Sequence, residues 1–327
     1  MLKKPIDNLN KNITSTIIHL KKKISYKLET SISKKIKFFD KKEAGWNATK
    51  MKVSKDFLPD KKWFDQKINI GKDLNFDKNK DFVIIPEIWS QFAVDLNLSK
   101  KKINYAIFVQ GFYHMNSSSN FSKIKNAYEN AKLILTDSEY SIEYLEKMFP
   151  KLKNKILRIN FSIDSKKFKI KSKTNLITYM PRKLPDHSNL LNFYLKNLLP
   201  NNWKLVSLNN VTEKKLIDML SKSKIFLSFS NLEGIGIPPV EAALSGNKVI
   251  GYTGGGGSEY WNEPIFTKVE NGEIGDFGQK VLLNIKKYNQ NWIKNTKKER
   301  TKLSKQYSKK VEINSIINFS NRVFKFF

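Results

Sequence analysis

From about residue 80 the chain alternates short apolar runs with stretches of helical period, and this rhythm constrains its fold more than any other feature. Residues 82–86, 105–110, 132–136 and 156–159 read as strands, and 139–148, which stops before Pro150, reads as a helix. The polar, lysine-rich stretch 164–175 reads as a linker. A second series follows, with strands at 176–180, 203–208, 224–229, 248–252 and 265–267, and helices at 188–199, 212–220 and 239–245. Thr212 is the expected N-cap of the middle helix, and Pro238-Pro239 suit the first turn of the last. Strands spaced about twenty residues apart with helices between them imply parallel sheets, so two such series joined by a linker predict two α/β domains facing across a cleft. The boundaries read from the sequence are 1–40, 41–165 and 166–327.

Residues 1–40 read as one basic amphipathic helix. Ile13, Ile17, Leu20, Ile24, Leu28, Ile32, Ile36 and Phe39 recur every three or four positions, with lysines off that stripe. Such a helix can lie on an anionic membrane surface, at about 1 kcal/mol per lysine, or pack its stripe on its own domain. Residues 44–70 are expected to add a degenerate strand or two.

Charge enters because 60 Lys+Arg stand against 30 Asp+Glu, a formal net charge of +30 that invites a nucleic-acid reading. Only Arg158, Arg182, Arg300 and Arg322 are arginines, whereas readers of phosphate and base edges lean on Arg forks. Residues 1–40 carry +7 and residues 284–327 carry +10, so the middle is only moderately basic. The charge therefore reads as a lysine bias, and nucleic acid is disfavoured as a partner. The chain has no cysteine, which excludes a disulfide framework, a thiolate metal site and a cysteine nucleophile. No secretory signal or run of about 18–20 apolar residues is read, so the expected location is the cytoplasm, peripheral at the inner face of a membrane.

The segment that carries chemistry runs strand, loop, helix from Phe226 to Gly246. Glu233 is placed just past the strand end and Glu241 in the first turn of the following helix. Gly234 and Gly236 remove side chains where backbone N–H groups could approach a ligand, and the helix N-terminus suits phosphate. Paired carboxylates can each accept hydrogen bonds from a vicinal diol, which suits a nucleotide sugar.

These residues resemble a known family. Glu233, Gly234, Gly236, Pro238, Glu241-Ala242 and Gly246 match the Glu-x7-Glu signature of retaining GT-B glycosyltransferases, family 4 in particular. The stretches Leu135-Thr-Asp-Ser-Glu-Tyr-Ser141 and Asn160-Phe-Ser-Ile-Asp164, with Phe168 beyond, resemble the family's close of the first domain and entry to the second. The resemblance covers residues 80–320 and implies a GT-B-like α/β fold of two Rossmann-like domains, the first (41–165) short and acceptor-side, the second (166–327) binding the donor. It implies a retaining, metal-independent hexosyltransferase that needs no cofactor, uses a nucleotide-diphosphate sugar as co-substrate and acts on a glycan or lipid-linked acceptor in polysaccharide biosynthesis. Glu241 would hold the donor ribose, and Glu233 with the amides of Gly234, Ile235 and Gly236 the sugar. Arg182 would clamp the diphosphate. The sequence departs from the pattern in carrying His187 five residues later where the family has Lys, so Lys183 is the candidate substitute. It departs again at Gln110-Gly111, where many members carry a His; His114 is the nearest titratable group and is otherwise a structural histidine. Glu87 points toward the expected cleft, to contact acceptor or to cap a helix over 89–96. Gly255 and Gly256, in the run Gly254–Gly257, are read as a pliable lid or phosphate-side loop. The competing readings are a non-catalytic binder of nucleic acid or acidic polymers and an inactive GT-B-like protein.

Overall fold

A computed structural model describes residues 18–20, 69–71, 76–117 and 121–327. Strand β1 (Ile18–Leu20) pairs in parallel with β2 (Asn69–Gly71). A strand at Ile18–Leu20 corrects the helix expected across 1–40: Ile17 and Ile18 follow Thr14 and Thr16 there, and β-branched side chains lose rotamer freedom in a helix but pack well on a pleated ladder. The remainder of that stretch lies outside the described residues.

Next come β3 (Phe82–Pro86), α1 (Phe92–Asp95), β4 (Asn104–Val109), α2 (Phe121–Asn130), β5 (Leu133–Thr136), α3 (Glu139–Met148) and β6 (Ile156–Arg158). The helix expected over 89–96 is broken into a 3-10 turn, Glu87–Trp89, and the single turn α1. The second series is β7 (Thr174–Tyr179), α4 (Pro185–Leu195), β8 (Lys204–Ser207), α5 (Glu213–Lys222), β9 (Ser223–Glu233), α6 (Ile237–Leu244), β10 (Lys248–Gly255) and β11 (Phe266–Lys268). Helices α7 (Ile274–Lys287), α8 (Trp292–Asn295), α9 (Lys297–Gln306) and α10 (Lys309–Phe324) follow. One parallel sheet has the order β3-β4-β5-β6 and the other β11-β10-β9-β7-β8.

The described residues gather into two compact units. One takes in those of Met1–Ile107, His114–Leu133 and Ile316–Phe327, the other Phe108–Tyr113 and Ile134–Ser315. In the first, Phe82 packs edge-on to Phe319 and stacks with Phe326, each at 6.0 Å between ring centres. Tyr105 donates its buried hydroxyl to the Ala127 carbonyl at 2.7 Å. The second unit has a core of Ile177, Ile225, Leu227, Phe229, Ile250, Tyr252, Phe277 and Val281. The middle residues of β9 and β10 are buried on both faces, which is why these strands read as largely apolar runs rather than as alternation. The helices start where their caps stand: Ser138 accepts from the Ser141 amide and Thr212 from the Lys215 amide.

Candidate functional site

The expected catalytic residues cluster in the second unit, at the carboxyl ends of its strands. Glu233 is the last residue of β9, and not a loop residue as expected, because the ladder with β10 runs on to a Gly255–Glu233 pair past an irregularity at Thr253. Before it, Leu232 is 56% exposed and holds φ 50°, a left-handed conformation that costs a non-glycine residue about 1–2 kcal/mol. After it, Gly236 takes φ 73° and caps α6 without a side chain. Its carbonyl accepts the buried Tyr260 hydroxyl at 2.6 Å. Pro238 and Pro239 occupy the first turn and have no N–H, so the donors this loop can offer are the amides of Gly234, Ile235, Gly236 and Ile237.

The glycine run, read from the sequence as a pliable lid or a phosphate-side loop, is closely packed and forms a wall. Gly254 and Gly255 close β10, and Gly256-Gly257 open the 3-10 turn Gly256–Glu259. A Cβ on Gly256 would overlap the Gly234 carbonyl, and one on Gly255 would lie 2.6 Å from the Tyr140 ring. Tyr113 ties the wall together: its hydroxyl reaches the Glu233 carbonyl at 2.6 Å and the Gly254 carbonyl at 3.1 Å. Backbone approach this close is the reason for glycine here, and it holds the strand ends in place.

Lys183, in the turn between β7 and α4, sets its Nζ 3.2 Å from the Glu233 carboxylate, and both side chains are about a quarter to a third exposed (30% and 25%). Arg182 beside it is exposed, with no partner among the described residues. His187 lies in the first turn of α4 with Nδ1 3.1 Å from the Tyr252 hydroxyl, so it serves the core while Lys183 meets the carboxylate. Glu241 is the fifth residue of α6, a turn later than expected, since the helix begins at Ile237. Burial pushes its carboxyl up to about 7, Glu213 adds to the rise, and Lys167 opposes it.

The remaining candidates divide. Gln110 and Gly111 follow β4 in the second unit, with the Gln110 carbonyl against the α-carbon of Gly234. Glu87 belongs to the first unit, where it is 4% exposed and opens the 3-10 turn Glu87–Trp89. His114 has its backbone in the turn Phe112–Ser117, and its side chain lies outside the described residues.

Sequence reasoning missed a polar cluster behind the glycine wall. Arg158, at the end of β6, forks to Glu139 at 2.8 Å and Glu259 at 2.6 Å. Glu259 also accepts from Tyr307 at 3.1 Å and from the Glu139 amide at 3.2 Å. Asp137 lies 4% exposed between β5 and the α3 cap, and its Oδ1 has no hydrogen-bond partner among the described residues. Burial pushes the Asp137 carboxyl up to about 7; its own amide, Arg158 and a hydrogen bond from Ser138 oppose the rise, and Glu259 adds to it. The scarcity of arginine is the available signal, because one of only four stands at a strand end. Among the described residues no group of three or more His, Asp or Glu side chains is placed to hold a metal ion, and no helix is long and apolar enough to cross a membrane.

No family model and no curated protein sequence matches the chain. Solved structures match its fold. Sucrose-phosphate synthase from Thermosynechococcus elongatus gives a TM-score of 0.55 at 12% identity, over 76% of this chain and 74% of that one. Anabaena HepE, solved with UDP and glucose, gives 0.54 at 12% identity, over 76% and 78%. The fold is GT-B. A third GT-B likeness is to S. aureus TarM, solved in a complex containing UDP, at 0.52 and 15% identity over 74% of this chain and 55% of that one, so the chain spans about half of TarM's length. The likeness is one of architecture. Within that architecture Glu233, Lys183 and the glycine wall stand at strand carboxyl ends, where open α/β sheets bind ligands.

Proposed function

We propose that the chain is a glycosyltransferase that moves a sugar from a nucleotide-diphosphate donor to a glycan or lipid-linked acceptor, with retention at the anomeric carbon and without a metal. The observation that carries this reading is the Lys183–Glu233 pair at the mouth of the Gly234–Gly236 loop. In this reading Glu233 and the loop amides hold the transferred sugar, Glu241 takes the ribose hydroxyls, and Gly255 and Gly256 shape the phosphate side. Arg182 and Lys183 stabilise negative charge as it develops on the departing diphosphate, the part a divalent cation plays elsewhere. Glu233 also keeps the Lys183 ammonium pointed into the site, so charge neutralisation and sugar orientation share one contact.

Incubation with a panel of UDP-, ADP- and GDP-sugars tests the reading, because a bound donor raises the melting temperature by mass action. Stabilisation by one donor family, turnover with EDTA present, and a product with the donor's anomeric configuration are expected. An inverted product would overturn retention, and the absence of stabilisation by every nucleotide would overturn the reading. The lysine-rich stretch 1–40 is proposed to draw the enzyme to anionic membrane surfaces; co-sedimentation with anionic vesicles that survives Lys21, Lys22 and Lys23→Glu would refute that part.

A further inference from the structure

Gly234 sits in a polar crevice. A Cβ built there would overlap the Gln110 carbonyl and one Asp137 oxygen, and would lie 2.8 Å from the other, Oδ1. Two acceptor groups, a carbonyl and a carboxylate, thus converge on one α-carbon. Nothing in the crevice donates to Oδ1, although Asp137 is 4% exposed. A buried carboxylate oxygen left without a donor costs about 1–3 kcal/mol or more, so the arrangement stands only if something offsets it. The neighbouring cation does not: Arg158 gives Nη1 to Glu139 and Nη2 to Glu259, and its buried Nε, which has no partner among the described residues, makes no hydrogen bond to Oδ1 either. The Ser138 hydroxyl lies 3.0 Å from that of Ser141 and also stabilises the Asp137 carboxylate by a hydrogen bond, but Oδ1 itself is left without a donor. Tyr307, the other hydroxyl of this cluster, is engaged with Glu259.

A group that pairs with Oδ1 is a hydrogen donor, small enough to enter beside the Gly234 backbone. Three of the walls there, Gly111, Gly234 and Gly256, have no side chains. Gly234 follows Glu233 directly in the chain, so the crevice adjoins the end of β9. A sugar hydroxyl satisfies each requirement.

We infer that Asp137 is a further carboxylate of the donor-sugar subsite, taking a hydroxyl hydrogen of the transferred sugar on Oδ1 when Gly234 turns aside to admit it. The inference rests on the proposed function. It makes Asp137 a specificity-determining residue, since a donor lacking that hydroxyl leaves the carboxylate unpaired in the closed site, and a site built to hydrogen-bond a hydroxyl rejects the analogue without it. The raised proton affinity of Asp137 fits the same picture, because a carboxylate waiting for a donor holds a proton in its place.

The test compares two affinities on the full chain, for the bare nucleoside diphosphate (UDP or ADP) and for its cognate sugar nucleotide, in wild type, Asp137→Asn and Glu233→Gln. Asp137→Asn is expected to bind the bare nucleotide within about twofold of wild type and the sugar nucleotide roughly tenfold to a hundredfold more weakly, the range for a hydrogen bond to a charged group. Equal losses for both ligands would mark Asp137 as merely structural, and no loss would also overturn the inference. A deoxy-sugar series on the wild-type protein decides the matter even if the variant does not fold. One deoxygenated position must lose the same tenfold or more, and a series in which no position costs over twofold refutes the assignment. A wild type that binds neither ligand condemns the glycosyltransferase reading itself, and the inference falls with it.

Discussion

Lys183 and Glu233 meet at 3.2 Å across the ends of β7 and β9, two strands that are hydrogen-bonded neighbours in the sheet although fifty residues apart in sequence. The pair is partly exposed, so it contributes little to stability, under about 1 kcal/mol. In the proposed function its role is orientation. Lys183→Met and Glu233→Gln are each expected to leave the melting temperature within a few degrees of wild type and to lower kcat about a hundredfold or more, the scale for removing one electrostatic stabiliser of a transition state. Steady-state kinetics with a fixed donor and a thermal melt check both halves; a melting loss that tracks the activity loss would refute the orienting role.

The glycines divide by what surrounds them. Gly256→Ala places a methyl on the Gly234 carbonyl, backbone against backbone, and is expected to destabilise by roughly 1–3 kcal/mol, the scale of overpacking. Gly275, in the first turn of α7, would have nothing within 4 Å of an added methyl, and Gly275→Ala is expected to stabilise by about 0.5–1 kcal/mol through helix propensity. Urea denaturation of the two variants reads opposite signs if the wall is packed as described.

Stability should fall as pH rises from about 4 to about 7. Asp137 and Glu241 have folded-state values near 7, above their ordinary 3.8 and 4.5, so the native state holds protons the unfolded chain has released. Their contribution is fully present below the ordinary values and is lost as pH climbs through 7, with a slope of at most about 1.4 kcal/mol per pH unit for each group. Asp137→Asn removes one share of that slope, measurable by urea denaturation at pH 5, 6 and 7. A slope unchanged in the variant would count against a proton on Asp137.

Arg158 serves two carboxylates at once, and Glu259 is only 10% exposed. Arg158→Ala leaves that charge buried and is expected to cost about 3–5 kcal/mol. Arg158→Lys recovers part of this at most, since an ammonium cannot span both partners with a planar fork. Chemical denaturation of both variants gives the ordering, and a lysine variant as stable as wild type would refute the bidentate role.

The sheet is readable in the sequence because its strands are buried on both faces: in Ile225–Phe229 only Ser228 interrupts the apolar run, and there is no polar alternation. The Gly234–Gly236 loop and its flanking carboxylates are readable because glycines, prolines and carboxylates fall at fixed offsets. The end of β9 is not, since Ser230, Asn231 and Leu232 have no strand signature, and only the ladder to Gly255 extends the strand through them. The glycine run misleads for a related reason. Four glycines in sequence look pliable, and only tertiary structure shows the Gly234 carbonyl and the Tyr140 ring filling the space that side chains would need. Asp137 is hidden in the same way: beside Ser138 it passes for part of a helix start, and its burial comes from residues remote in sequence.

Phe82 opens the first large sheet, yet its ring partners Phe319 and Phe326 stand some 240 residues later. During synthesis at about 5–20 residues per second, that sheet waits on the order of ten seconds or more before its apolar edge is covered. The second unit, whose core closes between Ile177 and Ile285, can form in the meantime. The strand that Phe82 begins is therefore among the last to be finished, and on the ribosome it is the part with the longest need for a chaperone.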